Sequence, residues 1–227
     1  MDLIREVMGL LFGENGELRQ IIAVTLQMSF ISTTIAVCIG IPLGSFIGIS
    51  SFPGKKLLLR VIYTFMGLPP VVAGLFVFFL LSRSGPLGQY KLLYSVTAMV
   101  TAQVLLITPV ATGLAANAVS ARLPLMRDTA VGLGLSKGRL LLYTLYENRK
   151  PLLAVVFTGF GRAISEVGAA QLVGGNIQYK TRVMTTAIVL ETNKGNFAMA
   201  AALGVLLLVI AFIIHSVAQL LQEVDHD

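Results

Sequence analysis

The chain has 227 residues, of which 56% are hydrophobic and only 12% charged, and its mean hydropathy is +0.83. A soluble domain carries about 25% charged residues, so this composition excludes an ordinary soluble globule and specifies an integral membrane protein. The net charge of +6 does not point to nucleic acid, because much of it lies in loops between apolar stretches. The single Cys38 allows neither a disulfide nor a thiolate metal site, and is expected to be a small buried hydrophobe.

Residues 1–19 form a lead-in, with Asp2, Arg5, Glu6, Glu14, Glu17 and Arg19 around only a short apolar run, which does not suit a signal peptide. From Gln20 to Ser51 there is no charge, so a first span is expected over about 20–50. Thr25, Ser29, Ser32 and Thr33 mark a face suited to packing on protein rather than lipid. Pro42 and Gly44 are expected to bend the end of this helix. Lys55, Lys56 and Arg60 then follow a Pro-Gly turn, which the charge rule places on the cytoplasmic side.

A second span is expected over about 57–81. It contains Gly67-Leu68-Pro69-Pro70, which frees backbone groups within the bilayer. Pro69 and Pro70 are therefore either a packing kink or part of a pathway lining. Residues 82–88 make an outer loop with Arg83. The third span, about 92–120, is again free of charge, and Gln103, Thr108, Pro109 and Asn117 are its polar or bent points. Gln103 bonds either a neighbouring helix or a solute.

Residues 122–150 are the longest charged interruption. Arg122, Arg127, Lys137, Arg139, Arg149 and Lys150 face only Asp128 and Glu147, so this loop too is cytoplasmic. Within it Pro124 suits the first turn of a helix and Asp128 meets the positive end of its dipole. Leu123, Met126, Ala130 and Leu133 recur at helical spacing opposite Arg127, Asp128 and Thr129, and Gly132 and Gly134 end or bend the helix. On pattern alone such a helix rests on lipid or docks on a protein.

The fourth span, about 151–173, carries Arg162 and Glu166, four residues apart and so expected on one helical face, close enough to pair. A lone charge at the bilayer centre costs at least ~2.5–3.5 kcal/mol. The two residues are either a structural ion pair or a gate or solute contact, and Gly168 beside them allows a close neighbour. An outer loop with Lys180 and Arg182 follows. Residues 183–190 are too short to cross and are expected to be a re-entrant or interfacial helix. Residues 191–196, with Lys194, turn the chain back into a fifth span over about 197–221 and an acidic tail over 223–227. The resulting topology has the N-terminus outside and the C-terminus cytoplasmic.

No phosphate-binding G-x-x-x-x-G-K-[ST] sequence is present, no His-Glu-x-x-His occurs, and His215 and His226 are isolated. The chain therefore carries no catalytic or metal site of its own. It draws energy from a partner or lets solute diffuse.

The run Asp128-Thr129-Ala130-Val131-Gly132-Leu133-Gly134 resembles the E-A-A-x-x-L-G signature of ABC importer permeases, with Asp for the usual Glu and Thr for the first Ala. Ser51-Phe52-Pro53-Gly54-Lys55, Leu68-Pro69-Pro70-Val71-Val72-Ala73-Gly74 and Gly161-Arg162-Ala163-Ile164-Ser165-Glu166-Val167-Gly168-Ala169 are similar to the molybdate/tungstate permease group. Val173-Gly174-Gly175-Asn176-Ile177, Thr181 to Thr186 and Glu191 to Gly195 resemble its tungstate branch. The resemblance implies an all-α integral membrane fold, the type I ABC importer transmembrane domain over residues 20–222, with about five spans and a cytoplasmic coupling helix.

It further implies that Arg127, Asp128, Thr129, Ala130, Gly132, Leu133 and Gly134 couple to an ATPase, and that Arg162, Glu166, Gly168, Pro69, Pro70 and Gln103 belong to the gate or pathway. The implied partners are a second copy of the chain, two ABC ATPase subunits that hold ATP and magnesium, an extracytoplasmic oxyanion-binding protein and membrane lipid. Arg83, Lys180, Arg182 and Lys194 would suit carboxylates on the binding protein. The implied location is the cytoplasmic membrane of a prokaryote, and the implied cargo is tungstate. Molybdate, sulfate or phosphate import are the alternatives within the class, and a passive anion channel is the alternative outside it.

Overall fold

The structure is a computed structural model that describes Gly9 and residues 16–132 and 137–223, with side chains of 125–131, 137 and 221–223 outside the description. Every regular element among the described residues is helical. In chain order these are α1 (Gly16–Ile49), α2 (Lys55–Met66), α3 (Pro70–Leu81), a 3-10 turn (Gly88–Tyr90) and α4 (Val96–Gly132). They continue with α5 (Lys137–Glu147), α6 (Arg149–Ile164), α7 (Gly168–Gly174), α8 (Met184–Asn193) and α9 (Phe197–Glu223). Among the described residues, 16–49, 96–124 and 197–220 are helices long and apolar enough to cross a membrane. The broken pairs α2 with α3 and α6 with α7 raise the count to as many as five.

The chain divides into two compact units. The first comprises residues up to Ser32, Pro69–Gln103 and Gly161–Ile214. Its apolar centre is built from Leu18 and Ile21 of α1, Met184 and Ala187 of α8, and Met199 and Leu203 of α9. The hydroxyl of Thr25 donates to the Ile21 carbonyl and accepts the N–H of Met184 at 2.9 Å, which supplies a partner at the start of α8. Thr25, Ser29, Ser32 and Thr33 are all buried. Arg182 meets Glu17 at 2.7 Å, and Lys194 meets Glu191 at 2.8 Å.

The second unit comprises Thr33–Leu68, Val104–Phe160 and His215–Asp227. Here α1 and α4 approach through Gly40, Gly44 and Gly48, one turn apart. A Cβ at Gly44 would stand 2.2 Å from the Thr112 carbonyl oxygen, and one at Gly40 would stand 2.7 Å from Ala111 Cβ. Small residues at this spacing let two backbones approach within a membrane. Gly44 is thus a packing site, and α1 continues as one helix through Pro42 to Ile49. Lys55 donates to the carbonyls of Gly48 and Ser50, satisfying the end of α1 with a cation at its negative pole.

Three sequence expectations are corrected. No separate helix begins at Pro124, because α4 continues through it to Gly132. Residues 191–193 lie in α8 rather than in a turn; the chain reverses at Lys194–Asn196, where Asn196 donates to Glu191. Cys38 is exposed, beside the exposed Ile31, Ile35 and Ile39. A thiol is apolar enough for an outward membrane face, so hydrophobicity alone does not bury it.

Candidate functional site

The polar centre of the first unit is assembled where α6 fails to continue. The helix stops at Ile164, and Ser165-Glu166-Val167 separate it from α7. The Ser165 hydroxyl lies 2.9 Å from the Gly161 carbonyl, which also accepts the Ser165 N–H, and 3.2 Å from the Arg162 carbonyl in the last turn of the helix. Glu166, only 7% exposed, accepts the N–H of Ala169 at 3.0 Å. Its carboxylate therefore caps the positive end of α7. The Thr185 hydroxyl of α8 donates to the Glu166 carbonyl at 2.7 Å, which fixes the joint from the other side.

Gln103 completes the arrangement. Its amide nitrogen donates to the Ala163 carbonyl at 2.8 Å, and its oxygen accepts the Ser32 hydroxyl at 2.6 Å. At 1% exposure Gln103 is spent on neighbouring helices. The predicted Arg162–Glu166 pair does not form. Helical spacing brings residues four apart together only while the helix continues, and here it ends between them. Glu166 faces α7 instead. Among the described residues Arg162 makes no ion pair, and its Nε is buried without a hydrogen-bond partner.

Pro69 and Pro70 belong to a second break. α2 ends at Met66, Gly67 follows, Pro69 is the N-cap of α3 in extended conformation, and Pro70 opens the helix. A proline at this position lacks only an N–H that the helix could not use. The helices after the two breaks lie against each other. A Cβ on Gly74 would stand 2.7 Å from Ala169 Cα, and one on Gly168 would stand 2.7 Å from Val71 Cγ2. Of the predicted pathway set, Arg162, Glu166, Gly168, Pro69, Pro70 and Gln103 all lie on these two joints or bond to them. Sequence reasoning did not single out Ser32 and Thr185 as partners of this cluster; both are hydroxyl residues in apolar surroundings, which is a signal, but not one that names the partner.

The predicted coupling residues are only partly described. Arg127, Asp128, Thr129, Ala130 and Gly132 are helical at the end of α4, while Leu133 and Gly134 lie outside the described residues. Of the cations proposed for a docking face, Arg182 and Lys194 are engaged within the chain by Glu17 and Glu191. Lys194 and Asn196 donate to the Glu191 carboxylate. The Lys194 hydrogen bond, more than offsetting burial, holds this carboxyl below its ordinary value.

A family model described as binding-protein-dependent transport system inner membrane component matches residues 40–223. The chain is 42% identical over 219 residues to the tungstate uptake system permease protein TupB of Peptoclostridium acidaminophilum, covering 96% of each chain. It is 37% identical over 222 residues to the TupB of Campylobacter jejuni, with 98% of this chain and 93% of that one covered. A probable anion ABC transporter permease protein of Haloferax volcanii is 39% identical over 193 residues, 83% of each. Among solved structures, an amino acid ABC transporter with histidines matches 91% of this chain and 92% of its own, with a TM-score of 0.67 at 18% identity. The likeness to that structure is one of fold. With helices for its regular elements and this family match over most of its length, the chain belongs to the binding-protein-dependent transport system inner membrane components, the permease subunits of ABC importers.

Proposed function

We propose that this chain is the membrane subunit of a tungstate importer. The observation that carries this is the 42% identity, over nearly the whole of both chains, to a permease whose name states tungstate uptake. Sulfate and molybdenum permeases also resemble the chain, but at 27–32% identity over less of it. Two copies enclose the path, two ABC ATPases bind ATP and magnesium below, and an extracytoplasmic binding protein delivers the anion. The segment from Arg127 to Gly134 is the coupling element that docks on the ATPase, on the cytoplasmic side with the C-terminus, and the N-terminus is outside. Charge placement supports this orientation, since the loops holding Lys55, Lys56 and Arg60 and the six cations of 122–150 fall on the same side. ATP-driven closure of the ATPases moves the coupling elements together and exposes the path to the loaded binding protein. The chain itself makes and breaks no bonds.

The test is uptake into vesicles holding this chain, its ATPase and its binding protein, with tungstate, molybdate and sulfate in competition. ATP-dependent tungstate uptake, outcompeting the other two and lost in Gly134→Asp, is expected. Uptake that ignores both ATP and the Gly134 variant contradicts the importer reading and supports a channel. Preference for molybdate or sulfate contradicts the cargo alone.

A further inference from the structure

Around the break between α6 and α7 the side chains of Gln103 and Glu166 are hydrogen-bonded inside the protein. Gln103 is held by Ala163 and Ser32. Glu166 is held by Ala169, and its carbonyl by Thr185. Arg162 differs. The carboxylate that its spacing offers has turned away to cap α7, no other acid among the described residues pairs with it, and its buried Nε has no acceptor. A guanidinium in a membrane segment is retained only where it meets an opposite charge, water or a solute. Its planar fork of N–H donors matches the oxygens of a tetrahedral oxyanion better than an ammonium does.

We propose that Arg162 is the transient contact for the oxyanion on its way through the membrane, and that Glu166 serves this role by being tied to α7. A carboxylate in the path would repel a dianion; as a cap on α7 it does not meet the solute, and the cation beside it stays uncompensated. The contact is a single cation with no second cation beside it in this cluster, so it holds the anion weakly and releases it, as passage requires. This inference rests on the importer reading above, and deepens it by naming the residue that meets the cargo.

The test uses the full complex in vesicles, with initial uptake of tungstate or of whichever oxyanion the wild type carries. Arg162→Gln should lower the rate about tenfold or more, the loss expected for one charge-assisted contact. Arg162→Lys, which keeps the charge but not the fork, should fall between the two. A chemical arm guards against a folding defect. In a Cys38→Ser background, assembled Arg162→Cys complexes are treated with 2-aminoethyl methanethiosulfonate, which adds an ammonium, or with neutral methyl methanethiosulfonate. Restoration of uptake by the cationic reagent alone is expected. Equal restoration by both reagents, no restoration after confirmed labelling, or Arg162→Gln importing at the wild-type rate each overturns the assignment while leaving the importer standing. Wild-type vesicles that import no oxyanion overturn both.

Discussion

The two helix breaks of this chain stop helices by different means. Between α2 and α3 the interruption is covalent: Pro69 and Pro70 lack the N–H groups that a continuing helix needs, and Pro70 fits the first turn of the next one. Between α6 and α7 there is no proline. Ser165 covers carbonyls of the ending helix, Glu166 caps the beginning one, and Thr185 holds the Glu166 carbonyl. The first break is set by backbone chemistry and tolerates side-chain change. The second is held by individual side chains, so each of them is expected to matter.

The largest expected effect falls where the two breaks share a contact. Gly74→Leu forces a side chain against the backbone of Ala169, 2.7 Å from where its Cβ would stand. It should destabilise by about 1–3 kcal/mol or more, read as a lowered unfolding midpoint in detergent. Gly168→Ala meets a side-chain methyl of Val71 at 2.7 Å and the Val71 backbone only at 3.4 Å and beyond, and should cost less than Gly74→Leu in the same assay.

At the side-chain break, Glu166→Ala leaves the Ala169 N–H buried without a partner and should cost about 1–3 kcal/mol, whereas Glu166→Gln keeps an acceptor and should cost clearly less. Thr185→Val removes one hydrogen bond to the same joint, for about 1 kcal/mol. At the covalent break, Pro69→Ala should change stability by less than about 1 kcal/mol, because Pro70 still ends any continuous helix. If Pro69→Ala costs as much as Glu166→Ala, the contrast between the breaks is wrong.

A smaller, pH-dependent effect lies away from both. The Glu191 carboxyl is held low chiefly by the Lys194 hydrogen bond. A depressed carboxylate stabilises the fold above its unfolded value, and that contribution is lost as pH falls through the folded one. Thermal midpoints should therefore fall as acid is added below the ordinary glutamate value of 4.5, and Glu191→Gln should flatten this part of the profile. Because Lys194 is half exposed, solvent screens the pair and the flattening should be slight.

Much of this architecture was legible in the residues. Charge-free runs located the long helices, since nothing else in a membrane chain needs so many uncharged positions in sequence. The proline break was legible because proline acts through its own backbone. The break at Glu166 was not, because the Arg162–Glu166 spacing assumes a helix that continues, and the capping donor at Ala169 is visible only once the helix has stopped. The packing through Gly40, Gly44 and Gly48 was not read from the sequence, where Gly44 suggested only a bend, because their partner, the Ala111–Val119 stretch of α4, depends on how distant segments meet. Pro124 misled in the opposite direction, since a favoured first-turn residue also sits within a longer helix when its neighbours accommodate it.

The measurement that bears most directly on the central claim is a double-mutant cycle on Arg162 and Glu166, using Gln at each position and the unfolding free energy as readout. If Glu166 caps α7 and leaves Arg162 without a carboxylate, the two substitutions should add to within about 0.5 kcal/mol. A favourable coupling of about 1 kcal/mol or more would mean that the residues pair, and Arg162 would then have no free charge to offer an anion.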